Sequence, residues 1–183
     1  MLRSEHFAGV RTGAYLASKV ALLTPILLLV NVTMIAVLQS LDRIPHLSPS
    51  AFVELNVTMA LNALAALCLG LLASAAVTTT AQAALALPML CFPAVLFSGA
   101  MVPNPVMAAA GRGISAAMSD RWAFEAIGRQ LHVVARLSTD SPYAGLGASP
   151  RTTYWLLLAG FALVTVIGAY AAVRHRATKV FRP

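Results

Sequence analysis

The sequence predicts an all-α integral membrane protein of about four transmembrane helices, and three observations predict it. Residues Leu55 to Gly111 run for 57 positions without an Asp, Glu, Lys or Arg. Mean hydropathy is +0.79, with 59 % hydrophobic and only 10 % charged residues, against about 25 % charge in an ordinary globular chain. Two further apolar stretches are bracketed by charge, one between Lys19 and Asp42, the other between Arg151 and Arg174. A hydrocarbon core about 30 Å thick takes roughly 20 apolar residues per helix. The long uncharged run therefore holds two crossings and a turn. The competing reading, a buried hairpin in a soluble core, must hide that whole run from water.

Taken in order, residues 1–183 read as one transmembrane domain. In residues 1–19, Leu2, Phe7, Val10, Tyr15 and Leu16 fall roughly on one helical face, weakened by Gly9 and Gly13. This predicts a short interfacial helix that then turns into the membrane; the alternative is a solvated N-terminus. Residues 20–41 form the first span. Pro25 lies near its start, where proline is best tolerated, and Asn31, Thr33 and Gln39 are expected to face other helices. Residues 42–54 read as a loop, with Pro45 and Pro49.

The second span is 55–77. Asn62, Ala66, Gly70 and Ser74 recur at steps of four, which predicts a helix-packing stripe; the other reading of Asn62 is a substrate-lining side chain. Thr78-Thr79-Thr80-Ala81-Gln82 is the turn. The third span, 83–102, carries Pro88 and Pro93, either of which can kink a helix. Residues 103–151 form a connecting loop. In it Trp122, Phe124, Ile127, Leu131 and Val134 predict an amphipathic helix over about 120–137, and Ser138–Pro150 has loop composition. The last span, 152–173, opens with Tyr154 and Trp155, suited to a membrane–water interface. A basic tail, 174–183, follows.

The net charge of +7 is spread over scattered arginines and short flanks, with no basic helix interleaved with aromatics. That distribution fits topology signals and lipid headgroup contacts rather than nucleic acid. Four spans put both termini on one side. The tail residues Arg174, Arg176, Lys179 and Arg182, with Arg3, Arg11 and Lys19, make that side cytoplasmic, and the 103–151 loop external. Against this stand five arginines in the loop, among three acids. The N-terminus does not read as a cleaved signal peptide.

No phosphate loop, HExxH, CxxC or assignable catalytic set occurs, and the four histidines lie in different segments outside the predicted spans. Cys68 and Cys91 sit inside the spans as small hydrophobes. The predicted spans carry no ionisable side chain, which argues against a proton-coupled carrier or a charge-relay enzyme. The chain by itself reads as no enzyme, binding no cofactor and no metal.

Three stretches, in order, carry a resemblance. Residues 4–19, with Glu5, Gly9, Tyr15 and Lys19, resemble the cytoplasmic coupling segment of ABC exporters of the G-subfamily type, the type-2 permease fold; Ser4 stands where that family usually has Arg. Leu96-Phe97-Ser98-Gly99 resembles the outer end of the family's fifth helix. Asp120-Arg121-Trp122-Ala123-Phe124-Glu125 resembles the motif opening its large external loop.

The resemblance implies the membrane-spanning permease part of an ATP-driven exporter in the plasma (bacterial inner) membrane, working by alternating access. It implies ATP hydrolysed at a partner ABC ATPase domain or subunit, a dimer of transmembrane domains, and as a further partner either the family's first two helices or another permease chain. The residues it implies at the coupling contact are Glu5, Gly9, Arg11 and Tyr15. Phe92, Val95 and Leu96 would line the translocation path, with Ala100 and Met101 at an upper gate. Arg121, Trp122, Phe124 and Glu125 form the external-loop motif. The alternative class is a non-transport membrane scaffold or accessory subunit.

Overall fold

The computed structural model describes residues 12–77, 79–137 and 141–180. The described residues form six α-helices and two short 3-10 turns, with no strand. Helix α1 runs Thr12–Ser40, α2 Pro49–Ala76, α3 Thr80–Leu96, α4 Ala109–Ala116, α5 Ser119–Gln130 and α6 Arg151–Val180. Three of them, over Ala17–Ser40, Pro49–Ala76 and Arg151–Ala172, are long and apolar enough to cross a membrane; Ala81–Leu96 is a shorter apolar helix.

Local chemistry sets the boundaries, and it moves several of them from where charge alone would put them. Residues 12–19 are not a separate interfacial helix. They are the first turns of α1, which continues through Pro25 without a break. Thr24 and Thr33 keep their hydroxyls bonded inside the helix, to the Val20 carbonyl at 2.7 Å and the Leu29 carbonyl at 2.8 Å. Thr33 can therefore stay on the outer face, whereas Asn31 lies at the α1–α2 seam. Helix α2 starts at Pro49, not at Leu55. Ser48 caps it by accepting the Ala51 amide at 3.3 Å, and Pro49 occupies the first turn, where its missing N–H costs nothing. Glu54 thus lies inside a helix. The turn falls where the threonines are: α2 ends at Ala76, and Thr79 caps α3 by accepting the Gln82 amide at 3.3 Å.

Helix α3 stops at Leu96, short of Val102, although Pro88 and Pro93 both sit within it. The Ser98 hydroxyl donates to the Val95 carbonyl at 2.7 Å and accepts the Ala100 amide at 3.2 Å. Gly99 then turns the chain at φ +87°. The amphipathic segment also divides. Helix α5 ends at Gln130, His132 adopts a left-handed conformation at φ 51°, and a 3-10 turn covers Val133–Arg136.

The bundle is built on α2 and α6, which pack along their length, with α1 against α2. Leu55, Thr58, Ala65, Cys68 and Ala75 of α2 face Tyr154, Leu158, Ala162 and Ala169 of α6 in the buried seam. Small residues let two helices approach closely in an environment where burying apolar surface gains little. The outer faces are apolar and open, with Leu22, Ile26 and Leu29 on α1 and Leu156, Leu163 and Val164 on α6 among them. That surface is expected where the surrounding solvent is hydrocarbon.

Helices α2 and α6 run parallel. Their starts meet at Glu54 and Arg151, whose carboxylate and guanidinium are paired. This end of the bundle is closed by α4, α5 and the 141–150 loop, which together form a cap.

Candidate functional site

The cap is assembled from α5 outward. Its inner face carries Ala123 and Ala126, both buried, so that the helix lies close against α2 and α6, while the buried Gly128 faces Leu146 of the loop. Polar side chains then reach across. Asp120 accepts from Asn62 Nδ2 at 2.8 Å. Gln130 Nε2 donates to Thr58 Oγ1 at 2.7 Å, and Trp155 Nε1 donates to the same oxygen at 2.9 Å. Thr58 in turn donates to the Glu54 carbonyl at 3.1 Å. One hydroxyl with no solvent exposure thus ties α2, α5 and α6 together, with its donor and both acceptor positions used.

A second knot centres on Glu125. Its Oε1 accepts from Arg121 Nε at 3.1 Å in an ion pair whose side chains are only 15 % and 17 % exposed. Its Oε2 accepts from the hydroxyl of Tyr154 at 3.3 Å, and that hydroxyl accepts the Ser149 amide at 3.2 Å. The Arg121 guanidinium also lies 4.6 Å from the Trp122 ring centre, a cation–π distance, and Trp122 Nε1 donates to the Ala116 carbonyl at 3.1 Å. The loop is fastened by Arg129, whose Nη1 donates to the carbonyls of Gly147 at 3.1 Å and Ser149 at 2.6 Å. Gly147 fits there because it has no Cβ: one would stand 2.5 Å from Arg129 Cβ and 3.0 Å from its Cα.

The tip of α3 meets the cap at a third place. Tyr143 Oη donates to the Ala100 carbonyl at 2.9 Å, and the Phe124 ring stands 3.6 Å from where a Gly99 Cβ would be. Phe124 and Tyr143 meet edge to face at 6.3 Å. Between tip and cap lies a cavity of about 90 Å³, lined among others by Ser98, Asn104, Arg121, Glu125 and Tyr143.

The structure brings Arg121, Trp122, Phe124 and Glu125 together in the cap, and it brings Ala100 to them. Phe92 and Val95 lie on the open face of α3, Met101 is exposed beyond its end, and Leu96 is half-buried. The four-residue stripe on α2 does not act as a unit within this chain. Asn62 bonds Asp120, while Ala66, Gly70 and Ser74 are exposed, and a Cβ on Gly70 would meet nothing within 4 Å. The buried row is offset from the stripe and runs through Thr58, Ala65 and Cys68. Glu5, Gly9 and Arg11 lie outside the described residues; Tyr15 lies in α1. The sequence pattern does not single out Thr58, Gln130, Tyr143 and Tyr154 as site residues. Only a hydroxyl or amide in otherwise apolar helical spacing marks Thr58, and nothing local marks Tyr143.

Chemically this is a mechanical site. Its groups hold helices and a loop in register, and among the described residues no group of His, Cys, Asp and Glu could hold a metal ion.

The architecture, parallel membrane helices closed at one end by a polar-stitched cap of short amphipathic helices, defines an α-helical membrane domain. The sequence model of the family described as ABC-2 type transporter matches residues 1–128, more than half of the chain. The chain belongs to the ABC-2 type transporter family, whose membrane domains form the permease part of ABC transporters. A comparison with curated proteins finds no match.

Proposed function

We propose that this chain is the membrane-spanning part of an ATP-driven exporter in the plasma membrane, working by alternating access with a separate ABC ATPase. The family membership over residues 1–128 carries the reading. Three features are consistent with it: α1, α2 and α6 are of spanning length, residues 12–19 continue without a break into α1, and the tip of α3 rests on the cap.

On this reading the ATPase domains close on binding ATP. Residues 1–19, continuous with α1 from Thr12 onward, carry that motion into the bundle. Helix α3, with Phe92, Val95 and Leu96, lines a path between two transmembrane domains, and Ala100 and Met101 lie at its upper end. Rigid continuity between a contact segment and a spanning helix is what transmission of motion requires, because helix–helix shear moves whole elements.

The test is association. The chain, expressed in native membranes and solubilised mildly, is expected to co-purify with an ABC ATPase subunit, and the complex is expected to hydrolyse ATP. A stable complex with only non-ATPase membrane proteins would instead assign it to an accessory or scaffold role.

A further inference from the structure

An open groove of about 690 Å³ lies where α2 and α6 begin, away from the tip of α3. Ser50 and Glu54 of α2, Arg129 near the end of α5, His132 just beyond it, and Arg151 and Thr152 of α6 are among its walls. Small-ligand sites have volumes of about 300–1,000 Å³. The walls here are polar and basic, with two guanidiniums against one carboxylate. Both guanidiniums are held in place by the protein itself. Arg129 Nη1 is fixed by the Gly147 and Ser149 carbonyls. Arg151 pairs with Glu54 through Nη1, and its guanidinium carbon lies 5.3 Å from the centre of the Trp155 ring. Neither arginine bonds a described residue through Nε or Nη2, so each keeps donors for an oxyanion. A side chain that is already ordered loses little freedom on binding.

Depth and chemistry say which anion fits. Trp155 is a residue of the membrane–water boundary. Val53, next to Glu54, and Leu156, next to Trp155, are 58 % and 72 % exposed, so apolar outer surface begins beside the groove. The groove therefore stands at the level of lipid phosphates, whichever face of the membrane the cap occupies. Glu54 Oε2 has no partner among the described residues. It repels a bare anion and accepts from a hydroxyl, which favours a headgroup carrying both a phosphate and hydroxyls. We propose that the groove seats the phosphoglycerol headgroup of an anionic membrane lipid. Arg129 and Arg151 donate to the phosphate oxygens, and Glu54 accepts from the glycerol. A lipid held there ties the starts of α2 and α6 and the end of α5 to the headgroup layer. The inference does not depend on the permease reading.

The test is a titration of the purified full chain, in an uncharged detergent, with dioctanoyl phosphatidylglycerol, followed by native mass spectrometry. One saturable site is expected. Thr152→Asp and Ser50→Asp each add a carboxylate to the groove wall on the first turn of a helix. An acid is favourable at that place in a helix, so both variants are expected to keep the thermal midpoint of the wild type. Each is expected to weaken lipid binding about tenfold or more, the effect of one like charge at close range. Ala144→Asp places the same charge at an exposed loop position outside the groove and is expected to leave the affinity unchanged. No weakening by Thr152→Asp and Ser50→Asp would overturn the site, and equal weakening by all three would reduce it to diffuse attraction of charge. Inorganic phosphate binding as tightly as the lipid would replace the headgroup with a free anion. Dioctanoylglycerol, which lacks the phosphate, binding as tightly would leave only acyl-chain contact. Either result overturns the proposal.

Discussion

Thr58 holds more of the cap than any charged residue does. Its hydroxyl accepts from Gln130 and Trp155 and is fully buried. Thr58→Val keeps the shape, leaves the half-buried Trp155 Nε1 without its acceptor and leaves Gln130 Nε2 only the longer bond to the Glu54 carbonyl at 3.4 Å; a lost partner of this kind costs about 1–3 kcal/mol. The thermal midpoint of the purified chain should fall by several degrees, at roughly 2–4 °C per kcal/mol for a chain of this size. Thr58→Ser keeps the oxygen and should fall much less; equal losses would mean that packing, not bonding, holds the seam. The sequence does not single out Thr58, because a threonine on the outer face, such as Thr33, has the same local sequence character and makes the same bond to the carbonyl four residues back. The Arg121–Glu125 pair was legible as a motif, yet the partner that fixes Glu125 is Tyr154, 29 residues away on another helix. At the coupling segment the prediction rests on resemblance. Glu5→Ala should leave membrane insertion intact and weaken ATPase association about tenfold, the loss of a charge-assisted contact worth roughly 1.4 kcal/mol or more. Binding measured in the same membranes for both forms checks it, and unchanged binding would make Glu5 a solvated surface charge.

Among the elements, helices were legible where a hydrophobic run is long, and their ends were legible only where a cap was read. The charge at Glu54 puts the start of α2 too late; Ser48 and Pro49 mark the start that the structure shows. The interruption at His132 follows from a left-handed backbone that helical spacing of Leu131 and Val134 does not reveal. The loop 141–150 had the composition of a loop and no more, but the structure fastens it tightly to α5. Gly147, at φ +72°, lies against the backbone of Arg129, and a Cβ there has nowhere to go. Gly147→Ala should detach the loop from α5, at a cost of about 1–2 kcal/mol for the left-handed conformation alone and more for the clash. Gly145, whose Cβ would meet nothing within 4 Å, provides the control. Hydrogen exchange of the Leu146 amide, bonded to the Tyr143 carbonyl at 2.9 Å, should speed up in Gly147→Ala and stay unchanged in Gly145→Ala. Equal exchange in both would mean that Arg129 holds the loop without that close approach.

For the whole molecule, α3 decides how many times the chain crosses the membrane. It has 17 residues, about 26 Å at 1.5 Å per residue, somewhat less than a hydrocarbon core of about 30 Å. Length alone therefore leaves three crossings or four. The contacts argue for four. Helix α3 starts at Thr80, soon after α2 ends at Ala76, and its tip returns to the cap, where Ala100 meets Tyr143. The cap itself is bonded to the start of α2 through Thr58 and Asn62. Helix α3, with the Ser98–Gly99 turn, thus covers the depth of α2 from Ala76 up to about Asn62 and Thr58. The described start of α1 and the described end of α6 then lie at the far end of the bundle, and the sequence puts Lys19, Arg174, Arg176 and Lys179 near them. The arginines of the cap, which would otherwise argue for the opposite orientation, are largely committed within it: Arg121 to Glu125, Arg151 to Glu54, and Arg129 to two carbonyls. The basic end is therefore expected to be cytoplasmic and the cap external. A thiol at Ser141→Cys in the cap loop should label with an impermeant reagent in intact cells, and one at Arg174→Cys only after permeabilisation. Labelling of both from outside would place the ends of α6 on one side, which no crossing helix permits. Labelling of Arg174→Cys alone would invert the orientation and place residues 1–19 where no cytoplasmic ATPase reaches them.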